Sequence, residues 1–343
     1  MKIGPLKIVS LAALALAMSA CGGGGAGTSP PVAVTPPPPP PPAPPSSAIP
    51  YPAGISEARI TVGGVERSFL VHVPAGLTQA RAMILVLHGG GGSGAQSANF
   101  FGNPQAVFRS IADREGLVAV YPNALANNWN DCRGDAPGIA SAGDDVSFFD
   151  ALLTRLQSEL KLDTRRTFLS GNSNGAMMSM RYALERSERV SAIAVSSGNL
   201  AAAPKGGRCT TGPAAPVPIL LTHGALDPIV PYDGGCVAVT ITIPCTQGNV
   251  ISAEATRDRW LAFNGLASTN AVVTRFEVNL LDGGAAVQSR YIGTAPVEWW
   301  RLEGAGHTPP SRTIFLDSAI VGIQNRDVEF AEIAWSFFAA RLP

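Results

Sequence analysis

The chain has 343 residues, of which 46% are hydrophobic, 7% aromatic and 15% charged. Lys plus Arg and Asp plus Glu both number 25, so the formal net charge is zero. That composition suits a globular protein, offers no basic field for nucleic acid and contains no acidic tail, which argues against a polyanion-binding role.

Lys2 and Lys7 flank a short apolar stretch, Ile8 to Met18, that ends in Ser19-Ala20-Cys21. The pattern predicts a secretory signal over residues 1–21, too short and wrongly flanked for a transmembrane helix. A cysteine directly after Ser-Ala resembles a bacterial lipobox, in which Cys21 would be lipidated and become the new N-terminus. Met18 stands where leucine is usual, and ordinary cleavage with full secretion is the alternative. Residues 22–50 are rich in Gly and Pro, with an unbroken run from Pro36 to Pro42. Such a stretch favours extended polyproline II and acts as a semi-rigid spacer. Residues 51–343 are then expected to form one folded domain, either held at a membrane through the lipid or released as a secreted or periplasmic protein.

In that domain Ile60 to Pro74 reads as two strands joined at Gly63-Gly64. Met83 to Leu87 predicts a buried strand, Ala106 to Arg114 a helix and Leu117 to Tyr121 a strand. Val146 to Leu160 predicts an amphipathic helix, Thr167 to Ser170 a strand, Ala176 to Leu184 a helix and Val190 to Val195 a strand. Pro218 to Thr222 reads as a strand, Ala253 to Phe263 as a helix and Glu298 to Leu302 as the last strand. Asp327 to Ala340 closes as a helix, and Ala271 to Ile292 reads as extra strands. Short apolar strands alternating with helices predict an α/β fold, with a mostly parallel central sheet covered on both faces and an antiparallel N-terminal hairpin.

Once Cys21 is set aside, Cys132, Cys209, Cys236 and Cys245 remain. In an exported chain four cysteines predict two disulfides, with three possible connectivities. Cys236 and Cys245 are close in sequence and read as a loop staple, which leaves Cys132 with Cys209. No Cys-x-x-Cys pair occurs, so no metal site is expected.

The most informative five residues are Gly171-Asn172-Ser173-Asn174-Gly175, between a predicted strand and a predicted helix. In that context Gly-x-Ser-x-Gly forms a nucleophile elbow that lifts the serine above the sheet edge. A serine hydroxyl needs a base held against it, and this arrangement supplies its partners in the order Ser, acid, His. His307, in Gly304-Ala305-Gly306-His307-Thr308-Pro309 after the final strand, is the predicted base. His223 is excluded because no aspartate lies between it and Ser173; it reads with Gly224 as loop-shaping. Asp227, at the carboxyl end of the strand Pro218 to Thr222, is the predicted acid, at the rim where sites of open α/β sheets collect. Asp233 is its rival, with Asp282 third. Acyl transfer also needs oxyanion donors. The backbone N–H of Asn174 is one; the other is assigned to Gly90, with Gly89 or Gly91 as alternatives, in Leu87-His88-Gly89-Gly90-Gly91-Gly92-Ser93-Gly94. That loop satisfies Gly-x-Gly-x-x-Gly trivially. Ala95 to Pro104 opens no predicted helix after it and Gly-Lys-Ser/Thr is lacking, so no nucleotide cofactor is expected.

With these motifs in order, the chain resembles the polyhydroxybutyrate-depolymerase and feruloyl-esterase branch of the α/β hydrolases. The matching residues are Leu87 to Gly92, Tyr121-Pro122 with Trp129-Asn130, Asp144-Asp145-Val146, Gly171 to Met178, His223 to Tyr232 and Gly304 to Pro310, so the likeness spans nearly all of Ile60 to Leu342. The resemblance implies an α/β-hydrolase catalytic domain over residues 51–343, the triad Ser173, Asp227 and His307, and Trp129 beside the substrate cleft. Asp145 reads as a helix-start residue that satisfies free N–H groups. The pattern departs at Asn174-Gly175-Ala176, where relatives often carry a further glycine, and at Asp131-Cys132, both able to reshape the acyl pocket.

The expected activity is therefore carboxylester hydrolysis without metal or cofactor. The expected partners are a small or oligomeric ester and, through the lipid alone, a membrane. No polymer-binding module is expected after the closing helix. That favours soluble esters, either hydroxyalkanoate oligomers of the 3-hydroxybutyrate type or feruloyl and acetyl esters of plant polysaccharide. The competing expectation is a catalytically silent surface lipoprotein that only binds a ligand.

Overall fold

A computed structural model describes residues 49–99, 102–136, 143–238 and 247–343. The expectations for the signal, for Cys21, for the linker up to residue 48 and for Cys245 lie outside the described residues. So does the second half of the predicted Cys236–Cys245 staple.

Strands β1 (Gly54–Val62) and β2 (Val65–Val73) pair antiparallel, Val62 opposite Val65. Gly63 and Gly64 both take positive φ, 57° and 81°, which a two-residue hairpin turn requires and which only glycine adopts freely. The chain continues through β3 (Met83–Leu87), β4 (Val118–Pro122), β5 (Thr167–Asn172), β6 (Ala192–Ser196) and β7 (Ile219–Gly224). A small antiparallel pair, β8 (Gly235–Cys236) with β9 (Asn249–Val250), precedes β10 (Ala271–Phe276), β11 (Ala286–Tyr291) and β12 (Val297–Leu302). Ten strands form one sheet in the order β1-β2-β4-β3-β5-β6-β7-β12-β11-β10. Its centre, from β4 to β12, is parallel; antiparallel strands flank it on both sides. The fold is thus α/β, with a mostly parallel sheet and the antiparallel hairpin at its leading edge. The extra strands expected within Ala271 to Ile292 are β10 and β11.

Strands β3, β4, β6 and β7 are buried from end to end, and their side chains alternate between two cores as the two-residue strand period demands. Met83, Leu85 and Leu87 of β3 join Leu169 and Val195 beneath the helices Asp145–Leu160, Asn174–Glu185 and Ala253–Phe263. Ile84 and Val86 face the other way, with Phe168, against the helices Val107–Glu115 and Phe330–Ala339. There Phe168 stacks on Phe338 with ring centres 4.6 Å apart. The edge strands differ: on β10 Val272 and Val273 are exposed, and among the described strands β10 pairs with β11 alone.

Most boundaries fall within a residue or two of expectation. Several short elements were not anticipated, among them the β8–β9 pair and the turn of helix Ser318–Val321. Ser93 caps a four-residue turn of helix, Gly94–Ser97, through the N–H of Gln96, where the sequence predicted none; Arg208–Thr211 forms another. Asp144, not Asp145, caps the helix Asp145–Leu160, accepting from the N–H of Ser147 at 3.0 Å. Asp145 is buried instead, receiving Arg67 at 2.6 Å and the N–H of Asn130 at 2.7 Å. A one-residue shift in the cap frees this carboxylate to tie the hairpin to the loop that follows β4.

Candidate active site

Strand β5 ends at Asn172 and a helix begins at Asn174, so Ser173 alone makes the corner. Its backbone sits at φ 56° and ψ −124°, a conformation side-chain-bearing residues rarely adopt and which costs about 1–3 kcal/mol. The corner is held on both sides: Ser173 N–H donates to Ser196 O at 2.9 Å, and Met177 N–H donates to Ser173 O at 3.0 Å. The flanking glycines are required by contact. A Cβ on Gly171 would lie 2.3 Å from Gly175 O, and one on Gly175 would lie 2.4 Å from His88 O.

The loops after β7 and β12 bring the other two groups to this corner. They abut so closely that a Cβ on Gly224 would lie 2.2 Å from Gly306 O. Ser173 Oγ is 2.9 Å from His307 Nε2, and His307 Nδ1 is 2.8 Å from Asp227 Oδ2. With Nδ1–H donating to the carboxylate, Nε2 is left to accept from the serine hydroxyl. Asp227 Oδ1 accepts the N–H groups of Ile229 and Val230 at 2.9 and 2.8 Å. Burial pushes the Asp227 carboxyl up, but the charge and hydrogen bond of His307, with smaller help from His223 and Ile229, hold it below the usual carboxylate range. The rivals are elsewhere: Asp233 is exposed, and Asp282 accepts from the N–H of Arg326 at 2.6 Å in a loop.

The glycine loop after β3 narrows its own alternatives. Gly91 N–H donates to Asn127 O at 2.8 Å, so Gly91 is withdrawn as a candidate oxyanion donor. Among the described residues no acceptor takes the N–H of Gly89, Gly90 or Asn174. A Cβ on Gly90 would lie 3.6 Å from Asn174 Cβ, which sets Gly90 against the residue after Ser173. His88 shapes the loop: Nδ1–H donates to Gly89 O at 2.7 Å and Nε2 accepts from Ala124 N–H at 3.1 Å. Burial drives its pKa down to about 4, so it is a neutral fixture.

Trp129 requires a correction. Expected beside the substrate, it is 0% exposed and lies outside the cavity lining. Its Nε1–H donates to His88 O at 2.9 Å, and its ring packs against His88 and Phe149. An apolar core beneath the glycine loop draws the indole inward, so Trp129 supports the loop.

Sequence reasoning assigned only the backbone of Asn174. Its side chain clasps the neighbouring loop, accepting Trp129 N–H at 2.7 Å and donating to Trp129 O at 2.9 Å and Asp131 Oδ2 at 2.8 Å. Asp131 in turn grips Arg133 (Nη2 to Oδ2, 2.7 Å), and both are buried. Cys132, between them, is bonded to Cys209 with Cα atoms 5.6 Å apart, the pairing expected. The Asp-x-Arg spacing around a cysteine was the available signal for this network.

A cavity of about 360 Å³ opens over Ser173 and His307. Gly89, Gly90, Asn128 and Arg133 are among its polar lining, and Met177, Ile229, Val237 and Leu316 among its apolar lining. Among the described residues no group of three or more His, Cys, Asp or Glu side chains is gathered as a metal ion would need.

The Phospholipase/Carboxylesterase family profile matches residues 70–254, more than half of the chain. A putative esterase, NocK, from Nocardia uniformis subsp. tsuyamanensis is 27% identical over 286 residues, covering 81% of this chain and 80% of its own. A probable feruloyl esterase C of Aspergillus terreus is 27% identical over 198 residues, covering 55% of this chain and 67% of its own. Among solved structures, an acetyl xylan esterase from Aspergillus awamori superposes with a TM-score of 0.50 at 17% identity, covering 74% of this chain and 94% of its own, a likeness of fold. The chain belongs to the phospholipase/carboxylesterase family of α/β hydrolases and is a carboxylic ester hydrolase.

Proposed function

We propose that this protein is an exported serine esterase that cleaves feruloyl or acetyl esters of plant polysaccharide through an acyl-enzyme. The observation that carries the mechanism is the unbroken hydrogen-bonded chain from Ser173 Oγ through His307 to Asp227, set at a strained strand-to-helix corner. Ser173 Oγ attacks the ester carbonyl while His307 Nε2 takes its proton; Asp227 stays ionised and holds the imidazolium in place. The N–H groups of Asn174 and Gly90 receive the oxyanion, an interaction whose loss costs roughly 3 kcal/mol per donor. The alcohol departs with the proton from His307, and water then releases the acid by the same steps. A protein that only bound a ligand would have no use for all three groups in register.

The feruloyl esterase among the relatives supports the aromatic-acid reading, and the acetyl xylan esterase fold is compatible with the acetyl one. Export is supported by the Cys132–Cys209 disulfide, which persists in oxidising compartments, together with the signal-like N-terminus. Attachment through Cys21 is the accompanying proposal. The test compares kcat/KM on methyl ferulate, acetylated xylan and a soluble 3-hydroxybutyrate oligomer, with Ser173→Ala as the blank. Preference for either plant ester supports the reading. Preference for the oligomer replaces the substrate class, and turnover of none above the blank removes the activity.

A further inference from the structure

The cavity lining includes one member of a buried ion pair that the Ser173–His307–Asp227 chain does not use. Arg133 lines the cavity with Ser173 yet is only 2% exposed, and Asp131 is 0% exposed. Arg133 Nε lies 3.1 Å from both Asp131 oxygens, Nη2 lies 2.7 Å from Oδ2, and Nη1 donates to Gln247 O at 2.5 Å. Asp131 Oδ1 also accepts the Arg133 N–H at 2.9 Å, and Oδ2 accepts from Asn174 Nδ2. A guanidinium carries five N–H donors. Three are used here, and among the described residues no protein acceptor takes the other two, one on each Nη.

The charge of this wall is closed while its hydrogen bonding is open. A free carboxylate entering the cavity would give up water and meet Asp131 together with Arg133, so little net attraction would offset its desolvation. A neutral oxygen, whether hydroxyl, ether or carbonyl, gives up far less and can accept from the spare N–H groups. We propose that the Asp131–Arg133 pair is a charge filter, favouring esters with a neutral oxygen acceptor near the scissile bond and rejecting those with a free carboxylate there. The inference rests on the esterase reading and defines its substrate class.

The test uses matched esters of similar length. On the acyl side these are 4-nitrophenyl esters of monomethyl succinate, of succinate with its second carboxylate free, and of pentanoate. On the alcohol side they are methyl acetoxyacetate and acetoxyacetate. The parent protein is expected to favour the neutral oxygen-bearing ester over the carboxylate by roughly 100-fold or more in kcat/KM in at least one pair. Monomethyl succinate is expected to exceed pentanoate by about tenfold when the acyl side is the one read. Asp131→Asn uncovers the cation and is expected to move the carboxylate-to-neutral ratio up at least about tenfold, whereas Arg133→Gln moves it down. Ratios within about twofold of one another in parent and Asp131→Asn, or a parent that takes carboxylate and neutral ester equally in both pairs, overturn the filter. If neither variant folds, the parent's ratios still decide. Turnover of 4-nitrophenyl acetate by the parent and not by Ser173→Ala separates failure of the filter from failure of the esterase reading.

Discussion

His223 Nε2 lies 3.4 Å from Asp227 Oδ2, the oxygen that also receives Nδ1–H of His307. Nε2 is also 2.9 Å from Val230 O, so it carries the hydrogen and donates. Burial drives the His223 pKa down against the pull of Asp227 and Val230, keeping the ring neutral. The loop-shaping role read from the sequence thus extends to holding the acid. Replacing it by Phe removes the hydrogen bond that ties Val230, and with it the loop carrying Asp227, to β7. His223→Phe is expected to lower kcat/KM by about 10- to 100-fold as the acid loses its placement. A lower melting temperature with unchanged kcat/KM would show the ring to be packing alone.

The strained corner at Ser173 makes activity and stability oppose one another. Glycine adopts φ 56° and ψ −124° without the penalty a Cβ brings. Ser173→Gly is therefore expected to be inactive yet more stable than the parent by about 1 kcal/mol, or roughly 2–3 °C in melting temperature. Calorimetry beside an ester assay checks both, and a less stable Ser173→Gly would contradict the strain assignment.

Two buried neutral histidines set the response to acid. His88 has its pKa lowered by burial to about 4, and His223 is lowered as well. Unfolded, both would bind a proton below about pH 6.5, whereas folded they resist it. Stability is thus complete above about pH 6.5 and falls as pH drops toward 4, by about 3 kcal/mol from His88 alone. The depressed Asp227 carboxyl adds a further loss below its unfolded pKa, as pH falls through the folded value. Urea midpoints at pH 7, 5.5 and 4.5 should decline in that order. A flat series would mean that the histidines protonate in place.

The glycine loop offers a test of the oxyanion assignment. A Cβ at Gly90 would press on Asn128 Oδ1 at 3.0 Å beside the corner, whereas Gly91, at φ 73°, faces open space. Gly90→Ala is expected to lower kcat by about 10- to 100-fold with little change in melting temperature. Gly91→Ala should lose about 1 kcal/mol of stability and keep most of its kcat. Equal effects on kcat would leave the second donor to Gly89.

Cys132 and Cys209 are 77 residues apart. Closing so long a loop stabilises a fold by about 2–4 kcal/mol. Cys132→Ser with Cys209→Ser should lower the melting temperature by several degrees. Because Cys132 stands between Asp131 and Arg133, kcat/KM should also fall at temperatures where the fold persists. Unchanged kinetics below the transition would detach the disulfide from the site.

The parts of the molecule legible in the sequence are those governed by local periodicity and chain order. Strand β3 could be bounded because five apolar residues precede the glycines, and Ser173, Asp227 and His307 because their order along the chain matches their order along the sheet. What was not legible depended on contacts between distant segments. Trp129 reads as a cleft aromatic until the core beneath His88 and Phe149 exists to receive it. Gly89, Gly90 and Gly91 are identical in sequence; only the carbonyl of Asn127, more than thirty residues on, removes one of them. Asp144 and Asp145 are likewise interchangeable until Arg67 arrives from the hairpin to claim one.

The Cys132–Cys209 bond encloses Ser173 and leaves Asp227 and His307 outside the ring it closes. Tension applied at the two ends of the oxidised chain therefore bypasses the stretch between the cysteines, and the nucleophile corner is shielded from stretching while the acid and base are not. A single protease cut between residues 132 and 209 would likewise leave both fragments covalently joined.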